Sequence, residues 1–219
     1  MDLSTLKRMR VIIPGTTFVF FMMPIYIYFS PKIIETDSAL KFPIESYGAV
    51  LTFVIGTLFN TYSLRKLILK KSLDEIDNNI KNKLLQEGLT ASQTPTKIEE
   101  IKKSKKLMNI FYYFTDTEES LKEKAKLVRE NGLVLSSSAD IALIGSFFSL
   151  LYLFLSYFYD INALFLFSGL AIGAMAIISW VSVHSKALES HIILSNEQLD
   201  YITQNKKNEL QTKVMGLFI

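Results

Sequence analysis

The amino-acid sequence predicts an all-α polytopic membrane protein with four transmembrane helices and a helical cytoplasmic layer. Hydrophobic residues make up 49% of the chain although 21% of it is charged, so the two kinds of residue must be segregated along the sequence. The hydrophobic residues form four blocks, each close to the ~20 residues that a helix needs to cross a bilayer. In the polar remainder, hydrophobic residues recur at steps of three and four, a spacing typical of helices that bury one face.

The four apolar blocks are the predicted spans, and they cover residues 11–30, 47–64, 141–159 and 161–184. None carries a charged residue in its interior, and Asp140 and Asp160 are expected to mark helix ends. The first block is too long for a signal peptide and is not followed by a small-residue cleavage site, so we expect it to be retained. Only residues 159–162 separate the last two spans, which predicts a tight helical hairpin.

The distribution of basic residues predicts the orientation of the spans. Only Lys32 and Lys41 lie in the loop between the first two spans. The other 22 of the 24 Lys and Arg residues lie in three segments, 1–10, 64–139 and 185–219. Because Lys and Arg concentrate on the cytoplasmic side of membrane proteins, we expect both termini in the cytoplasm and the spans in a bacterial inner membrane.

The same pattern divides the chain into four segments. They are a first transmembrane hairpin at 1–64, a cytoplasmic helical region at 65–139, a second transmembrane hairpin at 140–184 and a cytoplasmic helical tail at 185–219. The region at 65–139 is expected to form a helical layer rather than a linker, because capping signals recur along it.

Two helices are predicted within that central region. Thr94–Pro95 suits a helix start, since Thr caps helices and Pro is tolerated at the first helical position, and this helix should reach about Tyr113. A second helix is expected from Glu118 to Asn131, ended by Gly132. Ser136, Ser137 and Ser138 should then cap the third span.

The second and fourth spans are predicted to continue into the cytoplasm as helical stems. The second is expected to run unbroken from about Tyr47 to Glu87, with Gly88 as its terminator. Apolar residues repeat along both stems at a heptad-like spacing, as in coiled coils. We expect the stems to pack with each other or across subunits of a homo-oligomer through Leu69, Leu73, Ile76, Ile80, Leu84, Leu188, Ile192, Leu199 and Ile202.

Small residues in the last two spans predict a close contact between helices, because missing side chains let backbones approach. Gly169 and Gly173 form a small-xxx-small pattern in the fourth span, and Gly145 and Ser149 offer a matching groove in the third. Packing of the fourth span on the third is the favoured interpretation, and a subunit interface is the alternative.

A run of lysines precedes a group of aromatic residues in the central region: Lys102, Lys103, Lys105, Lys106, Phe111, Tyr112 and Tyr113. One interpretation is a solvated basic face with buried aromatic rings. Contact with anionic lipid headgroups or with an acidic cytoplasmic protein partner are the functional alternatives. Direct nucleic-acid binding is disfavoured because no recognisable binding fold surrounds these residues.

The residues that most catalytic and metal chemistry requires are missing from the sequence. The chain has no Cys, no phosphate-binding loop, no G-x-S-x-G and no H-E-x-x-H. His184 and His191 lie seven residues apart without an acidic or Cys partner at ligand spacing. We therefore predict no catalytic residue, metal or cofactor. Coupled transport is disfavoured as well, because the predicted spans lack the buried carboxylate, His or Arg that moves charge.

The overall layout consists of a basic start at Lys7–Arg10, two membrane hairpins, a helical insert from Leu64 to Ala139 and a cytoplasmic tail. This layout resembles the small four-helix membrane subunits of bacterial antiphage defence systems, in particular the membrane subunit of the Kiwa system. The resemblance covers the whole chain. It implies a tetramer-like membrane assembly that works with a soluble partner acting on phage DNA replication or transcription.

Together these features predict a bacterial inner-membrane sensor/effector subunit that oligomerises in the membrane and signals to a soluble cytoplasmic protein. The alternative is an oligomeric membrane pore or depolarising effector triggered from the cytoplasm, for which wholly apolar spans would supply a gate that closes by dewetting. A structural or assembly factor is the third possibility.

Overall fold

The computed structural model describes residues 2–34, 44–159 and 162–218. These residues form helices and short turns without a β-strand, so the all-α prediction is confirmed for them. In chain order the helices are α1 Leu3–Ile34, α2 Ile44–Thr61, α3 Lys66–Gly88, α4 Pro95–Lys103, α5 Lys106–Thr117, α6 Glu119–Phe158, α7 Ala163–Ile178, a π-helical segment Ser179–His184, α8 Ser185–Asn205 and α9 Lys207–Met215.

Three helical runs in the described residues are long and apolar enough to cross a membrane, namely Leu3–Ser30, Glu119–Phe158 and Ala163–Asn205. A fourth is present if Tyr47–Thr61 and Lys66–Gly88, which meet at an angle of 56°, are taken as one broken span. The chain is thus a helical protein with several helices compatible with a membrane.

The chain divides into two compact units, each built from two stretches of sequence. The apolar unit contains the described residues of Met1–Leu69 and Leu133–Lys186. The charged unit contains Lys70–Gly132 and Ala187–Ile219. Residues of both units occur in α6 and in the helical run Ala163–Asn205, which comprises α7, the π-helical segment and α8.

The core of the apolar unit is a largely aromatic cluster of side chains from α1, α2, α6 and α7. Phe148 packs edge-on against Phe18, with ring centroids 4.9 Å apart, and Tyr152 stacks on Phe165 at 5.9 Å. Tyr152 is fully buried, and its hydroxyl donates a hydrogen bond to the backbone carbonyl of Phe21. The cluster therefore gains aromatic contacts without leaving the phenol unpaired.

Helices α1 and α2 cross with their backbones in contact. A Cβ atom at Gly15 would overlap the carbonyl oxygen of Thr52, and one at Gly56 would overlap the carbonyl oxygen of Val11. Glycine is thus required at both positions, because any side chain would push the two helices apart. The close approach at Gly15 and Gly56 was not predicted from the sequence.

The charged unit has its own apolar core. Fully buried side chains come from five of its helices: Leu84, Leu107, Phe114, Leu121, Leu199, Ile202, Leu210 and Val214. Ion pairs lie around this core, including Lys83 with Asp200 at 2.5 Å and Lys206 with Glu118 at 2.8 Å. Exposed pairs of this kind contribute little to stability, so the buried apolar side chains are the main source of it.

The prediction of an unbroken second helix is wrong. Helix α2 ends at Thr61 and α3 begins at Lys66, while Gly88 ends α3 as predicted. In between, Ser63 adopts a left-handed backbone conformation with φ of 52°. Residues other than glycine rarely adopt this conformation, because their Cβ atom clashes there. A left-handed residue also cannot continue a right-handed helix.

The predicted helix from Thr94 to about Tyr113 is also interrupted. Thr94 stands at the N-cap position of α4 with Pro95 after it, as expected, but its side chain forms no capping hydrogen bond and α4 ends at Lys103. The Ser104 hydroxyl donates to the Ile101 carbonyl at 2.7 Å and accepts from the backbone N–H of Lys106 at 3.2 Å. These local bonds replace the helical pattern and produce a break.

The predicted helix end at Gly132 and the serine cap after it are wrong. Helix α6 continues through both and runs for 40 residues. The hydroxyls of Ser136 and Ser138 donate to backbone carbonyls three residues earlier, at 3.0 and 2.9 Å, and so are satisfied inside the helix. Asp140 consequently lies in the middle of α6 rather than at a helix end. Asp160, Ile161 and the predicted outer loop residues 35–43, with Lys41, lie outside the described residues.

Candidate functional site

The bend between α2 and α3 is held by one arginine. Arg65 donates from Nε to Asp140 Oδ1 at 3.1 Å and from Nη2 to Asp140 Oδ2 at 2.7 Å, a two-point ion pair. The same Nη2 also donates to the backbone carbonyl of Arg10 at 2.8 Å. A planar guanidinium is suited to such simultaneous contacts, and it links α1, the bend and α6.

Burial makes this ion pair different from the pairs on the protein surface. The side chain of Asp140 is 1% exposed and that of Arg65 is 13% exposed. Removing one partner of a buried pair typically costs about 3–5 kcal/mol, because the other charge is left without compensation. The geometry of the bend therefore depends on both residues.

This pair was not predicted from the sequence, where Arg65 served only to assign the orientation of the spans. A signal was present, since an acid and an arginine of opposite charge stood at the same predicted end of two apolar blocks. The inference that the apolar helices bury no carboxylate or His is wrong, because Asp140 and His184 are both buried. An absence of buried carboxylate and His side chains therefore no longer counts against coupled transport.

A second buried polar contact joins Ser138 of α6 to His184 of the π-helical segment. His184 Nδ1 is 3.2 Å from Ser138 Oγ and 3.3 Å from the carbonyl of Leu135, and His184 is 3% exposed. Ser179 donates to the Ser138 carbonyl at 2.9 Å. These contacts fix the end of α7 against α6 through hydrogen bonds rather than apolar packing.

The π-helical segment Ser179–His184 places these side chains. Trp180 stacks flat on the His184 ring, with centroids 4.1 Å apart and planes 10° apart. A π-helical turn inside a longer helix is uncommon and is frequent at functional sites. His184 therefore has structural partners. His191 lies in the charged unit, and the described residues contain no group of three His or acidic side chains that could hold a metal.

The four glycine and serine positions predicted to pack do lie together. Ser149 Oγ donates to the carbonyl of Gly169 at 2.8 Å. A Cβ at Gly169 would lie 3.1 Å from Leu153 Cγ, and one at Gly173 would lie 2.6 Å from Ser149 Oγ. A Cβ at Gly145 would lie 3.0 Å from that of Ala176. The contact is between α6 and α7 of one chain.

In the charged unit, two of the predicted lysines line a polar groove of about 450 Å³. Lys102 and Lys103 lie there with acidic side chains that include Asp74 and Asp77, and Lys102 is 3.9 Å from Glu99. Part of the predicted basic surface is thus neutralised by neighbouring carboxylates. Lys105 and Lys106, at the break before α5, remain exposed.

The predicted aromatic group divides in a similar way. Phe111 is buried in the core of the charged unit, so it is not available to a lipid or a partner. Tyr112 and Tyr113 are about half exposed. Burial, with Asp77 and Asp116 nearby, raises the pKa of Tyr112. Lys213 Nζ lies 3.6 Å from the ring centre of Tyr113, a cation–π contact.

The predicted stem residues pack mostly inside one chain. Leu69, Ile76, Ile80, Leu84, Leu199 and Ile202 are buried, whereas Leu188 and Ile192 are partly buried and Leu73 is 46% exposed. Asn79 on α3 donates to Asn196 on α8 at 2.9 Å, so these two helices are in direct contact. Within one chain, therefore, the two stems pack with each other, which is the first of the two predicted alternatives.

Comparison of the chain with protein-family models, with curated proteins and with solved structures found no match. Fold and site therefore define a class only: a helical protein with several membrane-compatible helices, an apolar unit with a buried ion pair, and a charged helical unit.

Proposed function

We propose that this chain is a four-span bacterial inner-membrane protein with both termini in the cytoplasm. We propose further that it is a sensor/effector subunit of an antiphage defence system, which oligomerises and signals to a soluble cytoplasmic protein. The observation that carries the proposal is the Arg65–Asp140 pair at the bend. The layout shared with antiphage membrane subunits supports the biological setting.

A protein that signals from the membrane to a soluble partner needs an element with two arrangements, and a membrane event must be able to shift the equilibrium between them. The bend between α2 and α3 is suited to that role. Ser63 holds an unfavourable backbone conformation, which costs on the order of 1–3 kcal/mol and persists only while surrounding contacts enforce it. Arg65 supplies such contacts, and their loss would release the bend.

The path from the bend to the charged unit follows continuous helices. Arg65 forms its ion pair with Asp140 on α6. Residues Glu119 to Gly132 of the same helix belong to the charged unit. We propose that release of the bend shifts α6 and that the charged unit responds to this shift at the surface that carries Lys105 and Lys106. We propose that this surface is where the soluble partner docks.

Charge substitutions at the pair test the proposal. Arg65→Gln and Asp140→Asn should each abolish protection against phage while the protein still inserts, and the exchanged pair Arg65→Asp with Asp140→Arg should restore part of it. Lys70→Gln is the matched control, since Lys70 is an exposed lysine five residues after Arg65. Plaque counts and extraction of membranes at alkaline pH are the measurements. Unchanged protection in both single variants would contradict the proposal.

The pore alternative makes a different forecast. The buried polar groups at this end of the apolar unit bond to one another, as Arg65 with Asp140 and Ser138 with His184, whereas a conducting path needs polar groups that face a lumen. A potential-sensitive dye separates the two functions. Depolarisation of cells that express this protein without any partner gene would favour the pore.

A further inference from the structure

The apolar unit contains a groove of about 390 Å³ between the first turn of α3, α6 and the junction of α7 with the π-helical segment. We infer that this groove binds one acyl chain of a glycerophospholipid from the surrounding membrane. The inference rests on the proposed membrane insertion and deepens the proposed sensor function, because it names what the bend responds to.

Small side chains form the floor of the groove. Ala142 and Ser146 on α6 and Ala176 on α7 line it. Two hydrogen bonds set the spacing of α6 from α7 and the π-helical segment, from Ser149 to the Gly169 carbonyl at 2.8 Å and from Ser179 to the Ser138 carbonyl at 2.9 Å. The space between the helices is thus a fixed feature of their packing.

The walls are larger and apolar. They include Ile68 from α3, and Trp180 and Val181 of the π-helical segment. Stacking on the buried His184 holds the Trp180 ring in place. Apart from the Ser146 hydroxyl and the Trp180 indole N–H, the side chains that line the groove carry no polar atoms.

The chemistry of this lining selects an acyl chain. An apolar groove of this size gains nothing from water, and leaving it empty forfeits dispersion contacts along its whole length. Tryptophan concentrates at the membrane interface, which places the Trp180 end of the groove at headgroup depth. Lys66, exposed two residues before Ile68, supplies a positive charge for the lipid phosphate.

Occupancy of the groove bears on the bend because Ile68 belongs to the first turn after it. A chain in the groove contacts α3 on one side and α6 and Trp180 on the other, so it holds these elements in the bent arrangement. Withdrawal of the chain removes these contacts, and the hydrogen bonds of Arg65 to Asp140 and to the Arg10 carbonyl then remain at the bend. The geometry points to the local lipid as the ligand that a membrane disturbance removes.

Photo-crosslinking in proteoliposomes tests this site. The full-length protein is reconstituted with phosphatidylglycerol that carries a diazirine near the end of one acyl chain, illuminated and digested for mass spectrometry. Label should appear on the peptides that contain Ala142–Ser146 and Ala176–Val181. Ser146→Phe and Val181→Phe, both at exposed positions of the lining, should each reduce that label by about tenfold, which corresponds to 1.4 kcal/mol.

Ala171→Phe is the matched control, because it adds the same ring at an exposed position of α7 outside the groove and should leave the label unchanged. Equal labelling of wild type and both groove variants overturns the inference. So does a disulfide between two copies of a Ser146→Cys variant that excludes the label, since a second chain would then fill the groove. Flotation with the liposomes reports insertion separately, so failure to float counts against the proposed function instead.

Discussion

Ser149 of α6 donates a hydrogen bond to the backbone carbonyl of Gly169 on α7, at 2.8 Å. The bond is possible because Gly169 and Gly173 leave the surface of α7 bare where α6 crosses it. A Cβ at Gly173 would lie 2.6 Å from the same Ser149 oxygen. The two helices therefore meet through a hydroxyl and a backbone rather than through interlocking side chains.

Gly173→Leu should destabilise the apolar unit, because the new side chain must displace Ser149 and break its bond to Gly169. Overpacking of this kind typically costs about 1–3 kcal/mol. Ala171→Leu, at an exposed position of the same helix, is the control and should have little effect. Thermal unfolding in detergent measures the difference, and an unchanged Tm for Gly173→Leu would show that the contact does not form.

Buried polar atoms in α8 lead to a prediction of increased stability. Ser195 Oγ and Gln198 Oε1 have no hydrogen-bond partner among the described residues, and both residues are 1% exposed. Because an unpaired buried polar group costs about 1–3 kcal/mol, Ser195→Ala and Gln198→Leu should each raise the Tm of the charged unit. Gln204→Leu, exposed on the same helix, should not. A lower Tm in both variants would mean that these atoms have partners in solution.

The break between α4 and α5 defines where a partner should dock. Lys105→Glu combined with Lys106→Glu reverses two exposed charges and should abolish capture of the soluble partner, since the affinity of an acidic surface depends on charge complementarity. Lys122→Glu with Lys126→Glu makes the same change of net charge elsewhere in the charged unit. Co-purification from cells is the readout. Equal loss in both double variants would point to net charge rather than to this surface.

Leu73 is the stem residue that remains available for contact between subunits, with 46% of its surface exposed. Leu73→Asp should weaken a homo-oligomer by removing apolar burial of about 1.5–3 kcal/mol per subunit, without disturbing the fold. Native mass spectrometry in detergent reports the oligomer size. Ile80→Asp is unsuitable for this test, because Ile80 is buried within one chain and the charge would disrupt the charged unit itself. A monomeric wild type would exclude oligomerisation.

Single cysteines test the orientation of the chain. Lys105→Cys should resist an impermeant thiol reagent in intact cells, because the distribution of basic residues predicts a cytoplasmic position for this segment. Ser38→Cys, in the predicted outer loop, should react. Lys105 is preferable to Ser104 as a reporter because the Ser104 hydroxyl forms the hydrogen bonds of the helix break. Labelling of both positions to the same extent would refute the proposed topology.

The sequence predicted the helical class and the close approach of Gly169 and Gly173 because both depend on local composition and spacing. The sequence did not predict the break at Ser63, because no Gly or Pro lies at the break and the apolar spacing continues on both sides of it. It failed at Gly132 for the opposite reason. A helix-breaking residue there is outweighed by burial of neighbours such as Leu135 and Ala125 along one continuous helix.

The buried polar contacts could not be located from the sequence for a different reason. Arg65 and Asp140, like Ser138 and His184, meet only after helices distant in sequence have packed. Periodicity reports which face of a helix is buried but not which residue of another helix it meets. The heptad-like stems show the same limit, since the spacing of Ile80 and Ile202 fits contacts within a chain as well as contacts between chains.

The separation of Arg65 and Asp140 by 75 residues has a consequence for biosynthesis. Chains fold from the N-terminus as they emerge from the ribosome, so α1 and α2 are made well before Asp140 exists. Until then the Arg65 guanidinium lacks its carboxylate and remains hydrated. The helices α1 and α2 are consequently a folding intermediate that stays incomplete until α6 has been synthesised. A nascent chain truncated before α6 should therefore be a preferred substrate for membrane quality-control proteases.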